Sequence, residues 1–304
     1  MIENRYIISQ TNAFFDKKRS DKAFRLLKKE EELEEDQRYS TLKYHLRDLK
    51  IRRQRALFNN ENAEGIEKEI ASAEAELTKI RAAFSKNYPE EIPDCPICGD
   101  KGKTDGGNCV CYYKKMNEIA YEYLGAKNVA RRAFSDDTLS DKVGSKSVYG
   151  AIKRFVDKLP NTEKNVLIIG KKGTGKTFLT ECAVNAVNEK KLNALMLSAY
   201  NLNNIFVKSL SLSYEEKVTV SDILSSCDLL AIDDLGTESI YNKVTIENLT
   251  AIISDRLLNG KPFMINTNLE LSEIGERYGE RLYSRLCGKK TAILRMDGDD
   301  LRFL

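Results

Sequence analysis

The sequence lacks the long hydrophobic run that a membrane-spanning helix requires. It contains no stretch of about 18 uninterrupted apolar residues, and its N-terminus does not show the basic and then apolar order of a secretory signal. A strong excess of one charge is also missing, since 49 Lys and Arg stand against 46 Asp and Glu and leave a net charge of +3. These absences exclude a membrane or secreted protein and predict a cytoplasmic one. They also require any nucleic-acid site to be local.

Histidine is nearly absent, and cysteine occurs in an odd number. The single histidine, His45, lies in a charged helical segment, where we predict that it packs rather than binds a metal. The seven unevenly placed cysteines do not look like the disulfide framework of a secreted domain. Three of them, Cys182, Cys227 and Cys287, are predicted to be small buried hydrophobic side chains.

The other four cysteines form a cluster, namely Cys95, Cys98, Cys109 and Cys111, with glycines in the connecting loop. The first pair has the ordinary C-x₂-C spacing of a zinc knuckle, whereas the C-x-C spacing of the second pair is less usual. Zinc favours thiolate ligands, and a segment this short cannot build its own hydrophobic core. We therefore predict a structural zinc site, with a redox pair or simple packing as the alternatives.

Proline is absent between residues 21 and 86, and the only glycine there is Gly65. The abundance of Leu, Lys, Arg and Glu favours helix, and apolar residues recur at helical spacing on both sides of the turn-forming sequence FNNENAEG. The pattern predicts a hairpin of two long helices within a helical, coiled-coil-like arm over residues 1–90. Such an arm is either a solvated extension or a docking surface for another protein.

Short apolar runs separated by helix-length segments begin at Val166. The runs are VLIIG, ALMLS, LLAIDD, FMINT and AILRM, each bounded by polar residues. Alternation of this kind is typical of an α/β fold with a parallel sheet covered by helices on both faces. We predict this core over residues 161–304, preceded by the cysteine knuckle at 91–118 and a helical linker at 119–160.

A phosphate-binding loop follows the first of these strands. Its sequence GKKGTGKT matches the pattern G-x-x-x-x-G-K-[ST] in full, after a strand and at the start of a helix, as the motif requires. Glycines let backbone N–H groups face the phosphates, while the lysine is predicted to reach the β- and γ-phosphates of ATP and the threonine to coordinate Mg²⁺. The predicted binding residues in this loop are Gly170, Gly173, Thr174, Gly175, Lys176 and Thr177.

Acidic and amide side chains end two further strands. Asp233 and Asp234 follow the apolar run of CDLLAIDDLG, and ligands of open α/β folds bind at this edge of the sheet. We predict that Asp233 holds Mg²⁺ and that Asp234 is the general base for the attacking water. Asn268 at the end of PFMINTNL is predicted to orient that water. Asn266 is its close competitor, and the alternative for either amide is to cap the next helix.

Two arginines four residues apart, Arg281 and Arg285, share one helix face in GERLYSRLCG. The planar guanidinium suits the stabilisation of charge on a transferring phosphate. From this segment alone, a salt-bridging surface helix is the favoured interpretation.

Taken together, the motifs resemble those of AAA+ ATPases of the DnaC/DnaI helicase-loader group, whose relatives include the IstB transposition ATPases and the DnaA initiator. The resemblance covers roughly residues 125–304. It implies an AAA+ P-loop core with strand order 5-1-4-3-2, Asn268 as sensor 1, Arg285 as an arginine finger acting on a neighbouring subunit, and Arg302 in sensor 2. Many AAA+ proteins carry Glu where this chain has Asp234, so slow hydrolysis is expected.

The resemblance also implies a function with defined partners. It implies ATP-dependent loading of a replicative hexameric DNA helicase onto single-stranded DNA, with ATP, Mg²⁺ and Zn²⁺ as cofactors and self-association in the ATP state. In DnaI-like loaders an N-terminal zinc-bearing region engages the helicase. The alternatives are an IstB-like ATPase that delivers a transposase, and an adaptor that ATP switches with little hydrolysis.

Members of this group bind single-stranded DNA with a helical insertion after the second core strand, here AYNLNNIFVKSLSLSYEEKVTVSDILSS. We predict that Phe206 stacks on a base and that Lys208 and Lys217 meet phosphates, against the alternative of an ordinary amphipathic helix. The sequence stops soon after Arg302, so we expect a truncated lid and no helix-turn-helix for reading duplex DNA.

Overall fold

The computed structural model of the chain describes residues 5–88, 92–127, 132–136 and 146–298. Among the described helices, none is long and apolar enough to cross a membrane. In chain order the elements are α1 (Arg5–Glu34), α2 (Gln37–Phe58), α3 (Glu64–Ser85), β1 (Lys103–Thr104), β2 (Gly107–Asn108), α4 (Val110–Tyr123), a 3₁₀ turn (Phe134–Asp136), α5 (Lys146–Lys158), β3 (Asn165–Ile169), α6 (Lys176–Glu189), β4 (Ala194–Ser198), α7 (Ala199–Ser209), α8 (Tyr214–Ser226), β5 (Leu229–Leu235), α9 (Asn242–Leu258), β6 (Phe263–Thr267), α10 (Leu271–Tyr278), α11 (Glu280–Leu286) and β7 (Thr291–Arg295).

The chain divides into two compact units. One is Phe15–Lys101, and the other combines Met1–Phe14 with Gly102–Leu304. The first unit contains α2, α3 and most of α1, whereas the second contains the parallel sheet. The domain boundaries predicted at residues 90, 118 and 160 stay predictions.

Helices α2 and α3 form the predicted hairpin. Arg38 pairs with Glu76 and Arg53 with Glu67, an order that requires the two helices to run antiparallel. Exposed pairs of this kind contribute only about 0–1 kcal/mol each, so the apolar seam between the helices is the main stabilising feature. Leu33 of α1 joins Tyr39 of α2 and Leu77 of α3 in one buried cluster, with Leu42, Leu46, Ile80 and Phe84 packed against it.

The helical region contains one long helix beyond the predicted hairpin, and one prediction about this region needs correction. The hairpin is preceded by a third long helix, α1, which begins at Arg5, upstream of the segment whose composition predicted helix. His45 is exposed rather than packed. The apolar stripe of α2 passes through Leu42, Leu46 and Leu49, and His45 lies beside this stripe on the solvent face.

Five strands form a parallel sheet in the order β4-β5-β6-β3-β7. When the strands are numbered along the core, this is the order 5-1-4-3-2 read from the opposite edge, so the predicted AAA+ P-loop topology is confirmed. Every residue of the central strands β3 and β6 is buried, as expected for a parallel sheet with helices on both faces. Cys182 and Cys227 are buried in this unit as predicted, while Cys287 is half-buried.

Side chains of two helices form hydrogen bonds with the free backbone groups of the edge strand β4. Tyr121 of α4 donates its hydroxyl to the carbonyl oxygen of Met196 at 3.1 Å and accepts from the Met196 N–H at 2.7 Å. The side chain of Asn188 makes the equivalent pair of bonds to Ala194, at 3.2 and 2.9 Å. An unpaired strand edge exposes backbone groups that seek partners. Helices α4 and α6 therefore satisfy the backbone of this edge from the side.

We expect Tyr121→Phe to lower the free energy of unfolding of the sheet unit by about 1–3 kcal/mol, because it leaves a buried backbone N–H and C=O of Met196 without partners. Urea denaturation of the variant and the parent protein measures this loss. The matched control is Tyr123→Phe on the same helix, whose hydroxyl makes no hydrogen bond within the described residues. Identical denaturation midpoints for both variants would contradict the role given to Tyr121.

Candidate active site

The phosphate-binding loop between β3 and α6 needs its glycines for two separate reasons. A Cβ on Gly170 would stand 2.2 Å from the carbonyl oxygen of Met296. Gly173 and Gly175 have φ of 82° and 93°, a backbone region open to glycine without steric cost. The turn delivers the chain to the N-terminus of α6, where free N–H groups and the helix dipole favour an anion. The loop therefore fits phosphate binding.

Lys176 is buried at the first position of α6. Its ammonium group donates to the carbonyl oxygens of Gly170 and Lys171, each at 2.7 Å, and to Oδ1 of Asn268 at 2.8 Å. Burial lowers the pKa of Lys176, and the two nearby aspartates oppose this effect. The side chain is thus held over the loop, within reach of a phosphate bound there.

Asp233 lies beside the threonine of the loop. The hydroxyl of Thr177 donates to Oδ1 of Asp233 at 3.0 Å, and the side-chain amide of Asn266 donates to the same oxygen. Burial raises the pKa of Asp233. Mg²⁺ prefers hard oxygen ligands such as these, so the hydroxyl and carboxylate fit the magnesium site predicted from the sequence.

Asp234 occupies a strained position at the end of β5. The register between β5 and β6 shifts between Ile232 and Leu235, and Asp234 has a φ of 55°. Bulges and left-handed residues re-aim side chains next to active sites. Asp tolerates this backbone better than most residues because its short polar side chain can bond locally. The left-handed backbone therefore gives a physical reason for Asp, rather than Glu, at this position.

The two asparagines at the end of β6 differ in their contacts, since Asn266 lies within the strand and Asn268 follows it. Asn266 is fully buried, where it donates to Thr180 at 2.9 Å and accepts from the Asp234 N–H at 2.9 Å. Asn268 instead lies between the loop lysine and the acid, since its Nδ2 is 3.5 Å from Oδ1 of Asp234. Neither amide caps the next helix, because Glu270 is the N-cap of α10. Asn266 holds the end of the strand, whereas Asn268 lies between Lys176 and Asp234, and its water-orienting role stays a prediction.

The arginines of α11 lie within the same unit. Arg285 is half-buried, and its guanidinium donates to Oγ of Ser254 at 2.6 Å and to the carbonyl oxygen of Arg281 at 2.7 Å. The Arg281 side chain is exposed. Arg302, the predicted sensor 2 residue, lies outside the described residues.

The structure corrects one predicted DNA contact. Phe206 is only 3% exposed, so it has no ring face on which a base can stack. It belongs to the inward stripe of α7 with Leu202 and Ile205, and the amphipathic pattern in this insertion therefore marks the core. Lys208 and Lys217 are exposed, and their contact with phosphates stays a prediction.

Sequence analysis also missed a buried acid near the site. Glu238 follows Asp234 by four residues and is 3% exposed, and its carboxylate bonds the backbone N–H of Gly236 at 2.9 Å. A charged residue in a loop is normally solvated, so the sequence around Glu238 contains no signal of burial. Its other partners, Arg277 and Tyr278, lie on α10, which is distant in sequence.

The four clustered cysteines come close together in space. The sulfur atoms of Cys95, Cys98, Cys109 and Cys111 all lie within 4.8 Å of one another. Tetrahedral Zn²⁺ with Zn–S bonds of about 2.3 Å places its sulfurs about 3.8 Å apart. Cys109 is the N-cap of α4 and Cys111 lies in its first turn, where the helix N-terminus favours thiolates. The donor set fits a four-thiolate zinc site.

Comparison with known sequences gives one domain family and two relatives. The profile of the bacterial DnaA ATPase domain matches residues 139–289. The replicative helicase loader DnaI of Bacillus subtilis is 24% identical over 228 residues, which are 70% of this chain and 68% of that protein. The uncharacterised protein YqaM of the same organism is 25% identical over 142 residues, 44% of each chain.

Among solved structures, a crystal structure of DnaI superposes with a TM-score of 0.46 at 22% identity, covering 60% of this chain and 93% of that one. The structure of AMPPCP-bound DnaA from Aquifex aeolicus gives a TM-score of 0.47 at 22% identity, covering 56% of this chain and 51% of that one.

The sequence similarities agree with the features of the site described above. The phosphate loop, the paired acids that end β5 and the 5-1-4-3-2 sheet are the defining parts of an AAA+ core. The match to DnaI is longer than the ATPase domain alone. The chain is thus similar to the replicative helicase loader DnaI over 70% of its length and to the ATPase domain of bacterial DnaA over residues 139–289.

Proposed function

We propose that this protein is an ATP-dependent loader of a replicative hexameric DNA helicase onto single-stranded DNA. One observation carries the proposal, namely that Lys176, Asn268 and Asp234 meet at one edge of the sheet in a chain similar to a helicase loader over 70% of its length. Because helicase loading onto DNA takes place in the cytoplasm, a cytoplasmic location is part of the proposal.

The chain's own residues support a route for hydrolysis. Lys176 binds the β- and γ-phosphates of ATP, and the loop N–H groups hold the phosphate chain. Thr177 and Asp233 would hold Mg²⁺, which would neutralise charge on the phosphate oxygens. Asn268 orients the attacking water, and Asp234 accepts its proton as the general base. The barrier is lowered mainly by positioning and by charge stabilisation.

Self-association in the ATP state is part of the same proposal. Arg285 is assigned to the nucleotide of a neighbouring subunit, where its fork stabilises charge on the transferring phosphate. In the isolated chain its Nε and one terminal nitrogen are already bonded to Ser254 and to the backbone of Arg281. These bonds hold the α11 arginine against α9 and limit the entropy lost when a neighbour docks.

Zinc at the four cysteines is proposed to fold the knuckle, and we expect protein purified without chelators to contain one zinc per chain. Cys98→Ser removes one thiolate of the closed four-ligand shell, so bound zinc should fall well below one per chain. The readout is elemental analysis by mass spectrometry, with Cys287→Ser as the control outside the cluster. Protein without zinc, or unchanged zinc in Cys98→Ser, would show that the cluster is not a zinc site. ATP binding is expected to survive.

Capture of partners tests the loader assignment. Asp234→Asn, which is expected to hold ATP without turning it over, is immobilised with ATP and exposed to extract of the native host, with Lys176→Ala as the control unable to hold nucleotide. Mass-spectrometric identification of the hexameric replicative helicase only on the first resin supports the proposal. A transposase there would replace it by an IstB-like function, and tight ATP binding without measurable hydrolysis in the parent protein would indicate a switched adaptor.

A further inference from the structure

A buried carboxylate near Asp234, the proposed general base, takes no part in the chemistry described above. Glu238 lies in the loop between β5 and α9 and accepts two hydrogen bonds, from the Gly236 N–H at 2.9 Å and from the hydroxyl of Tyr278. Tyr278 is itself only 1% exposed. Burying a carboxylate is costly unless donors satisfy it, so an acid kept here requires an arrangement that holds both donors in place.

The first donor belongs to the turn that carries Asp234. Gly236 has a φ of 109°, and a Cβ there would stand 2.6 Å from Leu269, the residue that follows Asn268. The hydroxyl of Thr237 closes the same turn by donating to the carbonyl oxygen of Asp234 at 2.8 Å. The bond to Glu238 therefore fixes a turn that carries Asp234 and that contacts Leu269, the neighbour of Asn268.

The second donor belongs to the helix that leads to the arginine finger. Tyr278 is the last residue of α10, and only Gly279 separates it from α11, which carries Arg285. Arg277 strengthens the link because its guanidinium donates to the backbone oxygen of Glu238 and lies 5.7 Å from the centre of the Tyr278 ring. The end of α10 is thus bonded to both the side chain and the backbone of Glu238.

Two further elements hold the rest of the loop. The side-chain amide of Asn203 on α7 donates to the carbonyl oxygen of Ser239 at 2.9 Å, and its oxygen accepts from the hydroxyl of Thr245 on α9 at 2.7 Å. The Thr245 oxygen in turn accepts from the Tyr241 N–H at 3.0 Å. These bonds tie the rest of the loop to α7 and α9, while the Tyr278 hydroxyl, together with Arg277, connects Glu238 to α10.

We propose that Glu238 and Tyr278 are a positioning pair for ATP hydrolysis. The pair locks the turn after β5 to the end of α10, which holds the Asp234 carboxylate against Asn268 and sets the direction in which α11 presents Arg285. It touches neither nucleotide nor water, and acts through the residues that do. The inference rests on the proposed ATPase function and assigns to that site a connection between the general base and the arginine-finger helix.

Tyr278→Phe tests the pair because it removes the hydroxyl alone and keeps the buried ring. We expect kcat for ATP hydrolysis to fall about tenfold, while the Kd for a non-hydrolysable ATP analogue stays within about twofold, because no nucleotide ligand is altered. The control is Tyr283→Phe on α11, whose hydroxyl makes no hydrogen bond within the described residues; this variant should match the parent protein. An unchanged kcat in Tyr278→Phe would overturn the inference.

A second variant keeps the test decisive if Tyr278→Phe folds poorly. Glu238→Gln retains the size of the side chain but offers one acceptor oxygen for the two donors, so kcat should fall in the same direction. The double variant should be no slower than the slower single variant, because residues that act as one unit are not additive. Additive losses, or equal losses in kcat and nucleotide affinity, would show a merely structural role. A parent protein without ATPase activity would instead refute the proposed function itself.

Discussion

Asp234→Asn is expected to lower kcat for ATP hydrolysis by about 10²- to 10⁴-fold, the contribution of a positioned general base, while ATP binding persists. The substitution preserves the local fold because Asn also tolerates the left-handed backbone that Asp234 adopts, with a φ of 55°. Lys176, Thr177 and Asp233 remain in place to bind the nucleotide. Phosphate release measures kcat, and equilibrium titration with labelled ATP measures the Kd.

The matched control for this experiment is Asp157→Asn on α5. That carboxylate is exposed and forms only a surface pair with Lys190 at 3.3 Å, so its loss changes the charge by the same amount without touching the site. It should retain the parent kcat. If Asp234→Asn turned over ATP at the rate of Asp157→Asn, then Asp234 would not be the base, and another group would have to take the proton.

Arg285→Ala is expected to lower hydrolysis in the assembled state by about 10³-fold or more, the scale of an arginine finger, and to leave ATP binding by the single chain intact. The reason is geometric, since an arginine that serves the neighbour's nucleotide is not needed to bind one's own. Arg281→Ala is the matched control, because that side chain is exposed and lies four residues earlier on the same helix. It should assemble and hydrolyse normally.

Mixing variants tests whether Arg285 acts between subunits. Lys176→Ala lacks the phosphate-binding lysine but keeps Arg285, whereas Arg285→Ala keeps a complete phosphate loop. If the finger acts on a neighbour, the mixture regains hydrolysis that neither variant shows alone. A mixture that co-assembles by gel filtration but does not hydrolyse ATP would contradict action on a neighbouring subunit. Normal turnover of assembled Arg285→Ala would place the residue outside the reaction.

The features that the sequence predicted best are those whose residues are neighbours in the chain. The phosphate loop is contiguous, and its strand and helix flanks carry apolar patterns that are independent of the rest of the fold. The strand order followed from the family resemblance and is confirmed. Asp233 and Asp234 were found because an apolar strand ends in two acids, a pattern that depends on the sheet alone.

The features that the sequence did not predict depend on contacts between distant segments. Phe206 lies in the same amphipathic stretch as Lys208 and Lys217. An apolar stripe in a sequence does not distinguish residues that pack in the core from residues that contact a ligand. Glu238 and Tyr278 are 40 residues apart, and no local pattern marks a buried charged residue. Asp234 gives no sign of its left-handed backbone either, since the bulge that causes it arises from the pairing of β5 with β6.

The choice between Asn266 and Asn268 illustrates the same limit. Both lie near the end of one apolar run, and the sequence offers no pattern that separates their roles. Only the structure shows that Asn266 turns into the sheet to bond Thr180 and the backbone of Asp234, while Asn268 meets the loop lysine. Alternation along a strand predicts that residues two apart share a face, but the strand ends at Thr267 and the rule ends with it.

The most direct measurement is a loading assay with purified components. The hexameric replicative helicase of the same host is incubated with circular single-stranded DNA, which offers no end for threading, and DNA-bound helicase is counted after gel filtration. With ATP, the parent protein should raise the bound helicase well above the level without it, and Lys176→Ala should not. Equal helicase on the circle with and without the parent protein, despite measured ATP hydrolysis, would contradict the loader function.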